Sequence, residues 1–408
     1  VGRLLDHRGY VRFWIADAVS TVGSSVTALA LQVVAVVTLH ATGTEVGILN
    51  AARWLPYLLL GLLAGVIVDR YRRQPILIGA DFARAVVLGV IPLAAAFDWL
   101  SLPLLIAVVL VFGTLSLAYD AAHQSFPPSL VPPELLTPAY ARLEQTSAVA
   151  QTGGPVFAGA LIKLIGAPAA ILVDAVSYLL SGVLLATVRP RTPEVAESTD
   201  QPRSLRREIR EGLRWVYRSS TLGRLAITSH VWFVFQGVFT TVYVLFVLNS
   251  LHLNAFWLGV TYAFGGVGSV IGATMSGWVG RRLGVGPGIL LGRWITPVAF
   301  LMAPLASGNG LGIVLLCAGW FLFGLAVGID GPIEMGYRQS ITPSNLLGRM
   351  NATMRSLNRA AIVIGAPVGG LLADHLGHRP TLWIAVAGMV LQAAMLQGSA
   401  FRHARLTA

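Results

Sequence analysis

Charge is scarce in this chain. Only 12% of its 408 residues are charged, against roughly a quarter in a soluble domain. There is one cysteine, Cys317, so a disulfide within the chain and a cysteine-based metal centre are both excluded. The single lysine, Lys163, follows Ile162 rather than a glycine, which excludes a phosphate-cradling GxxxxGK loop and a motor built on one. The motifs HExxH, GxSxG and DDxxD are missing too, and a membrane-embedded enzyme is accordingly a remote alternative. What is abundant is apolar: 55% hydrophobic residues, 44 glycines and a mean hydropathy of +0.72. At about 20 apolar residues per span, twelve spans need on the order of 240 residues. Short loops and one longer linker account for the rest, with no room for a separate soluble catalytic domain.

Apolar runs predict spans at 12–39, 45–68, 75–97, 102–122, 139–165, 168–188, 224–249, 255–280, 286–305, 310–331, 350–374 and 380–400. The first is too long, with Asp17 inside it, to read as a cleaved signal peptide. The formal net charge of +11 raises nucleic-acid binding as a possibility, and the placement of the 29 basic residues argues against it. Of these, 23 lie at ends and loops that share a side with both termini. The opposite loops hold Lys163 and Arg379, while Arg53, Arg84, Arg293 and Arg359 fall inside spans. The positive-inside rule puts both termini and the linker in the cytoplasm.

An internal repeat organises the chain. Gly65 with Asp69 and Arg70 recurs as Gly277 with Arg281 and Arg282; Pro132, Leu135 and Leu136 recur as Pro343, Leu346 and Leu347; Gly153 and Pro155 recur as Gly365 and Pro367. The offset is 211 or 212 residues throughout. Six spans per half is an even number, so the halves are parallel repeats. The expected architecture is an all-α membrane protein: a six-helix bundle over 1–188, a cytoplasmic linker over 189–223 and a second six-helix bundle over 224–408. Within the linker, Ser204 to Tyr217 is amphipathic, suited to a helix lying on a membrane surface.

The run Gly65, Asp69, Arg70 and Arg73 resembles the loop signature of the major facilitator superfamily. The stretches Asp81-Phe-Ala-Arg84, Leu130-Val-Pro-Pro-Glu-Leu135, Asp174-Ala-Val-Ser-Tyr178 and Gly348-Arg349-Met-Asn351 resemble its branch of macrolide and siderophore (enterobactin-type) exporters. That resemblance implies a cytoplasmic gate in which Asp69 and Arg73 meet Asp120, with Arg281, Arg282 and Asp330 as the second-half counterpart. It also implies that Gly153, Gly154, Pro155 and Gly159 form the antiporter pattern of span 5. The same pattern in span 11 leaves symmetric helix packing as an equal explanation.

Ionisable residues inside spans are costly unless paired or hydrated, which makes each a functional candidate. Asp17 and Glu144 lie about 8 to 9 Å in from the cytoplasmic ends of their helices and are the candidate proton carriers, with Asp81 a third. Asp81 and Arg84, three residues apart, can instead neutralise each other. Arg53 and Arg359 fall near the midplane; either a carboxylate such as Glu144 or Asp17 neutralises one of them, or they receive an acidic or catecholate-like substrate. Trp232, Gln236, Phe239 and Tyr243 share one face of span 7, as bundle packing or as a cavity wall. His230 reads as a hydrogen-bonded structural group, and His375 and His378 beside Asp374 do not make a metal site.

Together these readings predict a monomeric secondary transporter of the bacterial cytoplasmic membrane, in contact with lipid and using protons but no cofactor. It would export an amphiphilic small molecule such as a drug, a siderophore or a secondary metabolite. Proton-coupled or passive uptake on the same fold is the alternative.

Overall fold

A computed structural model describes residues 4–69, 71–190, 205–399 and 401, with the side chains at 62–69, 205, 206, 220 and 345 outside that description. The first half contains α1 (Arg8–Val33), α2 (Gly43–Asp69), α3 (Arg73–Ala96), α4 (Leu102–Ser125), α5 (Leu136–Ile165) and α6 (Ala167–Ala186). After α7 (Leu205–Arg218) come α8 (Ser220–Leu245), α9 (Ala255–Leu283), α10 (Val285–Leu305), α11 (Gly310–Ser340), α12 (Leu347–Leu376) and α13 (His378–Gln397). Eleven of the described helices are long and apolar enough to cross a membrane. The expected amphipathic segment is α7, which docks on α12 through Gly212 and Val216.

The helices start and stop where local chemistry dictates. Asn254 and Asn309 cap α9 and α11 by accepting from free backbone N–H groups, and Ser219 caps α8 in the same way. Gly166, Gly284 and Gly377 take φ of +84°, +87° and +89°, a conformation other residues resist, and each turns one helix directly into the next. His40 and His252 adopt φ of +50° and +51° at equivalent places, 212 residues apart. Each follows a π-helical turn, Val34–Thr38 after α1 and Phe246–Ser250 after α8.

Two compact units emerge from the contacts. One comprises 1–40 and 55–200, the other 41–54 and 201–408. The sequence-based division differs from this chiefly at 41–54, where the first turns of α2 pack with second-half helices. In the first unit α1 lies against α5 and α6, and α3 against α4 and α6. In the second, α8 lies against α12 and α13, and α9 and α10 against α11. Contacts between α9 and α11 are close because Gly268 and Gly272 face Gly324 and Gly328, where a Cβ would strike the opposing backbone.

The arrangement of polarity is that of a protein dissolved in lipid. On α3, Val86 and Leu93 are exposed while Asp81 and Arg84 are buried. Charge inside and aliphatics outside is the reverse of a water-soluble helix.

The tenth predicted span ends at 331, whereas α11 continues to Ser340. Glu334 and Arg338 fall beyond that predicted span, yet with Asp330 they recur every fourth position on α11 and form ion pairs inside the helix layer.

Candidate functional site

The second unit holds a cavity of about 300 Å³ whose wall is built by α8, α10, α11 and α12. Its centre is Arg293 on α10, only 5% exposed. A guanidinium stays protonated, so burying it requires anions. Two are supplied: Asp330 at 2.9 Å and Glu334 at 2.6 Å, both on α11. Glu334 also meets Arg338 at 3.1 Å, one turn further on. Close approach makes this possible, since a Cβ on Gly292 would lie 2.8 Å from that of Asp330. Ser229 accepts a further hydrogen bond from Arg293 at 3.1 Å, and the guanidinium lies 5.8 Å from the Trp232 ring centroid.

Around this network the lining is mixed. Trp232, Phe233, Met335 and Met354 supply apolar surface, while Arg355 and Arg359 add cations beyond those that Asp330 and Glu334 balance. The result is an amphiphilic, net positive wall. Arg359 also stacks 3.8 Å from the centroid of Trp54, and Arg53 stands 5.5 Å from the same ring. One alternative from the sequence was that Asp17 or Glu144 neutralises one of these two arginines; the geometry places both against an aromatic face contributed by 41–54.

The span 7 stripe divides. Trp232 lines the cavity. Phe239 and Tyr243 do not: Phe239 stacks on Phe300 at 3.6 Å, and Tyr243 donates to Thr261 at 2.9 Å, with both rings buried. Between them Gln236 is half-buried. His230 bonds Tyr217 and Asn358 at 2.6 and 2.8 Å, which makes it a structural group.

In the first unit Asp81 is fully buried, ion-paired with Arg84 and accepting from Ser181 at 2.6 Å. Arg84 is held between the rings of Tyr119 and Tyr178, at 3.9 and 4.2 Å. Such a closed pair neutralises itself. Asp17 lies 2.8 Å from His123 Nε2, with both side chains partly accessible. Glu144 is exposed: it follows Leu143, which packs into the core, and one residue along a helix turns the side chain by about 100°, out of that core.

Of the expected gate, Asp120 accepts from Tyr57 at 2.7 Å and Arg73 donates to Ser125 at 3.0 Å, both partners belonging to the first unit. Gly65, Asp69 and Arg70 lie outside the residues described at side-chain level. The residues expected as the second-half counterpart lie apart in this structure. Arg281 and Arg282 end α9 and are exposed, whereas Asp330 is held by Arg293 within the bundle. Among the described residues no ion pair joins the two groups.

Glycine in α5 and α12 serves close packing. A Cβ on Gly154 would collide with Ser25 of α1, and one on Gly365 would collide with the Val234 carbonyl of α8. Gly159 is buried beside Ala158, while Pro155 interrupts the α5 ladder and Gly153 faces open space. At the far end of α12, Asp374 accepts from Gly43 N at 2.6 Å, Thr44 N at 2.8 Å and Thr44 Oγ1 at 2.6 Å, capping α2. Sequence reasoning did not identify Glu334, Arg338 or this cap. The i, i+4, i+8 spacing of Asp330, Glu334 and Arg338 was the available signal for the first two.

A family model described as transmembrane secretion effector matches residues 5–406. Macrolide efflux protein A of Streptococcus pyogenes is 24% identical over 394 residues, covering 94% of this chain and 93% of that protein. The multidrug efflux pump Tap of Mycolicibacterium fortuitum is 26% identical over 355 residues, covering 84% of each. Among solved structures, a mutant of the nucleoside transporter NupG superposes with a TM-score of 0.79 at 11% identity, over 95% of this chain and 99% of that one. At that identity the likeness speaks for the fold alone.

Proposed function

The chain belongs to the transmembrane secretion effector family of major facilitator transporters, and we propose that it exports an amphiphilic small molecule in exchange for protons by alternating access. The observation that carries this reading is the second-unit cavity, where Trp232, Phe233, Met335 and Met354 face an arginine-rich polar floor. Apolar walls with a few fixed polar groups are what an amphiphile needs. An excess of guanidinium over carboxylate favours a substrate with an acidic group, a drug or siderophore of that character included. Relatives named as macrolide and multidrug efflux proteins support the outward direction.

Coupling is assigned to Asp17 with His123, two titratable groups 2.8 Å apart and partly accessible. Asp81, held by Arg84 and Ser181, is a structural charge in this reading. Twelve spans in two parallel repeats are supported by α1 and α8, α2 and α9, and α3 and α10, each beginning 212 residues after its counterpart. The distribution of arginine supports cytoplasmic termini, and Asp69 with Arg73 and Asp120 would form the cytoplasmic gate.

Expression in an efflux-deficient bacterial host tests the proposal. Cells carrying the chain should accumulate less of at least one amphiphilic drug or siderophore, and Arg359→Gln should restore accumulation at equal expression. Unchanged accumulation across a panel of macrolides, other drugs and siderophores would rule the export reading out.

A further inference from the structure

The linker helix makes a second, separate site. On α7 the residues Arg207, Glu211, Arg214 and Arg218 follow at intervals of four, three and four, so they share one face. The opposite face, with Gly212 and Val216, is buried against α12 and its neighbours. Between the polar face and the start of α12 lies a cleft of about 630 Å³, lined by Arg207, Glu211, Arg214, Trp215, Arg218 and Arg349 among others.

Charges in the cleft are unequal. Glu211 holds Arg207 at 2.8 Å and is also bonded by Arg349. The hydrogen bond from Arg207 keeps the Glu211 carboxyl below the usual range, so it remains an anion. Arg349 has Glu208 as a further neighbour at 3.7 Å. Arg214 and Arg218 have no ion-pair or hydrogen-bond partner among the described residues. They flank Trp215, whose indole N–H is fixed on Thr342 at 3.2 Å and whose ring is thereby held in the wall.

Position adds the second argument. Arg218 ends α7, and the apolar span of the next helix begins at Thr221. Two guanidiniums without an ion-pair or hydrogen-bond partner among the described residues therefore stand within one or two turns of the start of an apolar span. A lipid phosphate sits at that level. Guanidinium forks also match phosphate oxygens in geometry as well as charge.

We propose that this cleft binds a phosphate ester of headgroup size, with Arg214 and Arg218 as its principal ligands and Glu211 as the anion that competes with it. An anionic phospholipid headgroup and a soluble phosphate ester share that chemistry, and the nearness of the span favours the lipid. The site is distinct from the transport cavity and does not depend on the direction of transport.

Purified full-length protein in detergent, titrated with phosphatidylglycerol, phosphatidylcholine or glycerol 3-phosphate and followed by native mass spectrometry, tests this. Each interfacial arginine contributes roughly fivefold, so Arg214→Gln with Arg218→Gln should weaken phosphatidylglycerol binding about 30-fold. Glu211→Gln should tighten binding about fivefold by releasing Arg207 and Arg349, a gain that a merely structural role for α7 would not produce. Preference for phosphatidylglycerol assigns a lipid headgroup; equal arginine-dependent binding of glycerol 3-phosphate assigns a soluble ester. Phosphatidylcholine binding as tight as phosphatidylglycerol, or anion binding indifferent to all three substituted positions on α7, would overturn the proposal.

Discussion

Replacing Arg293 with glutamine removes the cation around which the second-unit cavity is organised. In the parent it meets Asp330 at 2.9 Å and Glu334 at 2.6 Å, and all three side chains are at most 13% exposed. Without it, two carboxylates one helical turn apart share Arg338 alone. Removing one partner of a buried ion pair costs about 3–5 kcal/mol, because the remaining charge keeps its desolvation penalty without its compensation. Asp330→Asn added to Arg293→Gln removes one of the orphaned charges and leaves Glu334 with Arg338, so the double variant should recover much of the loss. Contacting residues in such networks couple by about 0.5–3 kcal/mol, and about 2 kcal/mol is expected here. Unfolding in mixed micelles of dodecyl maltoside and dodecyl sulfate, followed by circular dichroism, supplies the four stabilities. If the two substitutions prove additive within about 0.5 kcal/mol, the independent-site limit, the Arg293–Asp330 pair is not an energetic unit and the cavity account loses its centre.

Three further outcomes follow from the same geometry. Asp374→Ala strips three hydrogen bonds from the start of α2; a lost cap of about 1–2 kcal/mol should speed amide exchange at Gly43 and Thr44 roughly tenfold, and unchanged exchange would contradict the capping role. Gly365→Ala drives a methyl into the Val234 carbonyl and should destabilise by about 1–3 kcal/mol, whereas Gly153→Ala, which meets nothing within 4 Å, should be neutral or better; equal melting temperatures for the two variants would sink the packing argument. Arg84→Gln leaves Asp81 buried without its counter-ion and should cost about 3–5 kcal/mol, with Asp81→Asn in the same chain restoring much of it, as read by thermal unfolding in detergent.

Much of the fold was legible because lipid imposes a simple rule: backbone groups must be satisfied within each segment, so long apolar runs become helices. Residues recur at an offset of 211 or 212, and His40 and His252, 212 apart, take nearly the same φ. The amphipathic period of 204–217 likewise found α7. The site was harder to read. The predicted span stopped just past Asp330 and before Glu334 and Arg338 because charge usually marks the membrane edge, whereas the distant Arg293 joins Asp330 and Glu334, and Arg338 pairs with Glu334 within the helix. Phe239 and Tyr243 share a helical face with Trp232, but a face shared along one helix does not reveal what lies across from it. Trp54 could not be assigned to Arg359 at all, since they are separated by roughly three hundred residues of chain and joined by packing.

Transport itself gives the most direct test. Everted membrane vesicles containing the chain, with an acid interior imposed, should accumulate an amphiphilic substrate, and nigericin should abolish that accumulation. Arg359→Gln should reduce it far more for an anionic member of a size-matched series than for neutral or cationic ones. Accumulation that persists without the gradient, or that appears only when the interior is alkaline, would contradict proton-driven export by this protein.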